Sequence, residues 1–135
     1  MRFRVRKAAH VLERIGLAMA GAACGLFVGA YVGSAISHLT TQGFLLLMMV
    51  LGFAGFYLGI DTPQLPFDDA HSTIDAAEFL SAAGTLCATF AAFASVAVIV
   101  LRLESGGLPA WLVLIGWIAG LAMQIVGGAK ARMRK

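Results

Sequence analysis

Four long apolar runs, at residues 15–37, 43–60, 73–101 and 108–128, carry no Asp, Glu, Lys, Arg or His in their central turns. At 1.5 Å per residue, a helix through each run reaches about 27 Å or more, against a hydrocarbon core of about 30 Å, with the second run near the minimum. Lipid offers the backbone no hydrogen bonds, so a spanning run of this kind has to be helical. Composition agrees: 60% of the 135 residues are hydrophobic and only 13% charged, where a soluble domain carries about 25%. The expected class is an all-α membrane protein with four transmembrane helices arranged as two helical hairpins, residues 15–60 and 73–128.

Charge sets the expected orientation. Arg2, Arg4, Arg6, Lys7 and Arg14 precede the first run, Lys130, Arg132, Arg134 and Lys135 follow the last, and Arg102 is the one other basic residue. The net charge of +3 and isoelectric point near 9.2 therefore report topology and not a nucleic-acid patch. The positive-inside rule places both termini in the cytoplasm, as in a bacterial-type inner membrane. Residues 1–14 are expected to form a basic interfacial segment on anionic headgroups, with 129–135 as a basic cytoplasmic tail. A basic start followed by an apolar run also resembles a signal peptide, but the run is about twice the usual length, so it is read as a retained span. The turns at 38–42 and 102–107 then face outward and the acidic loop 61–72 faces inward.

The first run carries Gly21, Gly25, Gly29 and Gly33 at every fourth position. Residues four apart share one helix face, so they form a bare backbone ridge suited to close helix contact. Gly52, Gly55 and Gly59 in the second run and Gly116 and Gly120 in the fourth extend the pattern. One four-helix bundle is not expected to bury all of these faces, so at least one is expected to serve a membrane-protein partner or self-association. On this reading Gly29→Leu disrupts assembly and Gly84→Ala is tolerated.

Sliding the chain by 63 residues aligns Ala20–Phe27 with Ala83–Phe90, including both cysteines, Cys24 and Cys87. A shift of 64 brings Val50-Leu51-Gly52-Phe53 onto Leu114-Ile115-Gly116-Trp117. Either the hairpins are a parallel internal duplication or an Ala/Gly-rich chain matches itself by chance. A duplication implies that spans one and three approach each other near Cys24 and Cys87.

Candidates for chemistry are sparse. Asp68, His71, Asp75 and Glu78 fall on one face of any helix drawn through them, where they would hold a divalent cation or complement a helix N-terminus, Ser72 and Asp75 resembling a capping box. Cys24 and Cys87 read as small apolar residues. His10, His38 and His71 lie outside the span centres, which argues against histidine-ligated cofactors. Span centres free of ionisable residues argue against proton-coupled transport by the chain alone. No nucleophile, phosphate-loop or nucleic-acid motif is present, and neither enzyme activity nor a cofactor is expected. Tyr31 and Ser34 of span one, with Thr89, Phe90, Phe93 and Ser95 of span three, are the candidate lining of a pore.

Thr89-Phe90-Ala91-Ala92-Phe93-Ala94-Ser95 is similar to the Thr-Phe-x-x-Phe-x-Ser stretch of the dual-topology fluoride-channel family, whose members are also four-span chains of about this size. The resemblance covers seven residues and implies that Phe90 and Phe93 line an anion path in a dimer. Span two has no asparagine, span one has no arginine after its glycines, and the charge bias fixes one orientation. The expected function is accordingly an accessory or assembly subunit that packs through glycine-rich faces, with a small oligomeric channel or transporter as the alternative.

Overall fold

The computed structural model describes residues 2–59, 76–104 and 106–133, with side chains from residue 8 onward. Four helices follow in order: α1 (Arg2–Ala35), α2 (Gln42–Gly59), α3 (Ala76–Val100) and α4 (Gly107–Met133), with a short 3-10 turn at Ser37–Leu39 between the first two. All four are long and apolar enough to cross a membrane, α1 over Ala8–Ala35. The chain is an all-helical protein whose apolar helices point to a membrane location. The acidic loop expected at 61–72 lies outside the described residues.

Two boundaries differ from expectation. Helix α1 runs without a break through residue 14, so no change of structure separates the basic segment from the span. Ala8, Ala9, Val11 and Leu12 are helix-compatible, and Gly16, whose added methyl would meet nothing within 4 Å, is tolerated singly. Helix α4 continues to Met133, past the expected end at 128, because Ala129, Lys130, Ala131 and Arg132 propagate a helix well.

The turns are closed by local hydrogen bonds. Thr41 caps α2, its Oγ1 accepting from the Phe44 N–H at 3.2 Å, and the Thr40 hydroxyl donates to the Gly33 carbonyl at 2.6 Å, satisfying the end of α1. Helix α3 ends in a Schellman motif: Leu103 N–H donates to Val98 O at 3.1 Å and Arg102 N–H to Ile99 O at 3.3 Å. The residue in the left-handed position is Arg102, with φ of 51°. Glycine usually fills this position, and a side chain there costs about 1 kcal/mol.

Helix α1 packs most closely on α2, and α3 on α4. Both pairs are antiparallel and both close through glycine. A methyl at Gly21 would collide with the Gly52 carbonyl, and one at Gly52 with the Gly21 carbonyl. One turn on, a methyl at Gly25 would collide with the Met48 carbonyl, and Gly29 faces Leu45 and Met48 side chains at 3.2 Å. Gly84 and Gly120 repeat the reciprocal contact, at 2.5 Å from a Gly84 methyl to the Gly120 carbonyl oxygen and 2.8 Å in the other direction.

The helix pairs meet face to face, α1 on α3 and α2 on α4. Helices α2 and α4 run parallel in steady register, Gly52 opposite Trp117, Gly55 opposite Leu121 and Gly59 opposite Gln124. Trp117 and Val28 are fully buried, and Met48, Tyr31 and Phe56 complete the core between the pairs.

These contacts go against the expectation that Gly84→Ala is tolerated. A methyl at Gly84 would sit 2.5 Å from a backbone oxygen and 2.8 Å from Gln124 N, whereas Gly29 faces side chains at 3.2 Å that can shift. Gly84→Ala is therefore expected to lower stability by about 2 kcal/mol, Gly29→Ala by about 1 kcal/mol or less, and Gly116→Ala not at all. Thermal unfolding midpoints in detergent check the order.

Candidate functional site

The predicted pore residues do not converge. Tyr31 is buried in the core, and Ser95 is fully buried with its hydroxyl donating to the Ala91 carbonyl at 2.8 Å. Ser34 is exposed and donates to Tyr31 O at 2.7 Å. Thr89 donates to Thr85 O at 2.8 Å. Phe90 and Phe93 are 68% and 71% exposed on the outside of α3, so they line no path through one chain. Beside Phe90, a shallow groove of about 280 Å³ is floored by Cys87, Ala91, Ala94 and Gly116.

The glycines predicted to pack are divided differently from expectation. Gly21, Gly25, Gly29, Gly33, Gly52, Gly55, Gly59 and Gly120 are all buried within the chain. Only Gly116 faces open space. One bundle thus accommodates all but Gly116, because the glycines of α2 receive α4 side chains as well as facing α1, and Gly120 faces α3.

Of the predicted cation ligands, Asp68, His71 and Asp75 lie outside the described residues. Glu78 stands in the first turn of α3. Among the described residues no group of three His, Cys, Asp or Glu side chains is gathered. Helices α1 and α3 do touch, yet Cys24 is half-buried at the edge of the core while Cys87 is exposed.

A connected polar ladder of side chains runs between α2, α3 and α4. Ser81 Oγ donates to the Gly59 carbonyl at 2.9 Å, capping the end of α2 from α3. Thr85 Oγ1 donates to Ser81 O at 2.9 Å and accepts from Gln124 Nε2 at 2.8 Å. Gln124 is 1% exposed, and its Oε1 has no hydrogen-bond partner among the described residues. Trp117, two turns earlier on the same face of α4, likewise buries its Nε1 without one.

Arginines close the same end of the bundle. Arg132 reaches from α4 to the Leu58 carbonyl of α2 at 3.2 Å, with its Nε on Gly128 O at 3.1 Å. That approach requires Gly128, where a methyl would collide with the Leu58 carbonyl. Arg14 of α1 lies over the Tyr57 ring, 5.1 Å from its centroid. The last carbonyls of α2 carry the negative end of its dipole, which is where a guanidinium is favoured.

The hydroxyls of Ser34, Ser81, Thr85, Thr89 and Ser95 each donate to a backbone carbonyl, and none of these bonds goes to a histidine or carboxylate that would activate a nucleophile. Gln124, which sequence reasoning passed over, had a readable signal. It is the one amide side chain in the interior of an apolar run, and such groups bond between helices.

No protein-family model matches the chain, and neither a curated protein nor a solved structure matches it.

Two substitutions test the ladder. Gln124→Met keeps a straight side chain, leaves Thr85 bonded to Ser81 and removes a buried oxygen without a partner, so the unfolding midpoint is expected to stay level or rise, within about 1 kcal/mol. Arg132→Met removes the bonds on Leu58 and Gly128 and is expected to cost about 1 kcal/mol, read from the same melts.

Proposed function

We propose that the chain is a non-enzymatic accessory or assembly subunit of a bacterial-type inner membrane, with both termini cytoplasmic, that packs laterally into a homo-oligomer or a larger membrane complex. The observation carrying this reading is the sealed interior. Along the axis, Trp117, Met48 and Gln124 are buried and the helix pairs close on backbone at Gly21 with Gly52 and Gly84 with Gly120, so among the described residues the space between the pairs is filled by side chains. What the chain offers a neighbour is its outer surface. The glycine ridges hold the subunit together, and the protruding Phe90 and Phe93 with the groove at Gly116 are the contact elements for a partner.

The two helix pairs also read as copies. The reciprocal contacts of Gly21 with Gly52 and Gly84 with Gly120 are the supporting likeness, and they make Gly120, rather than Gly116, the counterpart of Gly52. The offset is then 63 residues in the first helix of each pair and 68 in the second, as five extra residues in the second copy would give.

The channel alternative keeps one supporting observation: Phe90 and Phe93 lie on the outside of α3, so they can line a path only between two copies. Two experiments separate the readings. Purification in mild detergent is expected to yield a complex larger than one chain, and a lone monomer would count against the subunit reading. Proteoliposomes of pure protein are expected to hold fluoride, chloride and potassium gradients; specific release of one would decide for the channel.

A further inference from the structure

The end of the bundle opposite the arginines holds a crevice of about 410 Å³ between the C-terminal turns of α1 and α3. Its walls include Tyr31 and Ser34 from α1, Val98 and Ile99 from α3, and Arg102 and Glu104 from the turn that follows. Besides His38, Arg102 and Glu104 are the only acidic or basic residues described at this end. Only Leu103 separates them, yet neither forms an ion pair or side-chain hydrogen bond among the described residues. Arg102 moreover occupies the left-handed position at φ of 51°, where glycine would be the favoured residue. A positive and a negative group thus flank one mixed polar and apolar cleft at the depth where a spanning helix leaves the hydrocarbon.

We infer that this crevice binds the headgroup of a zwitterionic phospholipid of the phosphatidylethanolamine type. The phosphate sits on the Arg102 guanidinium, the primary ammonium on the Glu104 carboxylate, and an acyl chain follows the Val98–Ile99 wall. A primary ammonium donates hydrogen bonds that a quaternary one lacks, and an anionic headgroup without an ammonium would meet Glu104 with like charge. The inference rests on reading the four helices as spans. A free zwitterion, such as an amino acid, shares the charge pattern but has no use for the apolar wall.

The test is native mass spectrometry of the full chain after equilibration in mild detergent with equal amounts of phosphatidylethanolamine, phosphatidylcholine and phosphatidylglycerol. Phosphatidylethanolamine is expected to be retained preferentially. Arg102→Gly and Glu104→Gln are each expected to reduce that retention about tenfold, as loss of one charge-assisted contact does, and Glu104→Gln to shift retention toward phosphatidylglycerol. Arg102→Gly also serves as the folding control, since glycine suits the left-handed position and its unfolding midpoint is expected to hold or rise. Retention unchanged in Arg102→Gly, or preference for phosphatidylglycerol in the native chain, would overturn the proposal. So would calorimetric binding of free glycine to lipid-stripped protein with affinity matching phosphoethanolamine. The same spectra count subunits separately from lipids, so failure of the oligomer reading leaves this result intact.

Discussion

The structure depends on backbone meeting backbone at glycine. Between lipid-solvated helices no hydrophobic force drives association, so dispersion contact and satisfied polar groups must do so, and both grow as the helix axes approach. Gly21 with Gly52 and Gly84 with Gly120 let each antiparallel pair come within carbonyl reach. Once the pairs are that close, the side chains remaining between them are few and large. Trp117 fills the gap beside Gly52, and Leu121 and Gln124 fill those beside Gly55 and Gly59. The small residues and the bulky ones are thus a single arrangement, holes on α2 and knobs on α4.

The polar groups follow from the same geometry. Helix α2 ends where its carbonyls are covered by its neighbours, and Ser81, Arg132 and Gly128 meet them there. Such partners are needed because the final carbonyls of a helix have no intrahelical donors. Gln124 is held by Thr85 on one side only, and it lies between glycines that leave no donor beside its oxygen. The ladder therefore ties three helices together without creating a reactive group.

The gross fold was legible because lipid reduces the options: an apolar run of spanning length must be a helix, and the four runs at 15–37, 43–60, 73–101 and 108–128 each overlap one. Helix-to-helix assignments were less legible. The spacing of Gly21, Gly25, Gly29 and Gly33 identifies a contact face but not its partner, and whether α2 or another chain lies on it depends on turn geometry that the spacing does not encode. Gly116 and Gly120 show the limit plainly. They sit four apart in one sequence motif, yet Gly120 is pressed against Gly84 and Ala88 while Gly116 faces open space. Phe90 and Phe93 show a related limit, since aromatic residues on a membrane helix are as comfortable against acyl chains as inside a bundle.

The turn before α2 and the cap after it have a further consequence. Pinned by Thr41 at one end and by Ser81 and Arg132 at the other, this helix keeps 18 residues, about 27 Å, while α4 extends over 27, about 40 Å. The bundle consequently presents lipids with one short wall and three longer ones. The last turn of α4 carries Lys130 and Arg132, so part of its extra length is polar, and a span as short as α2 would be the place where lipid has to adjust. A neighbour packed against α2 would meet a shorter helix there than on any other side of the bundle.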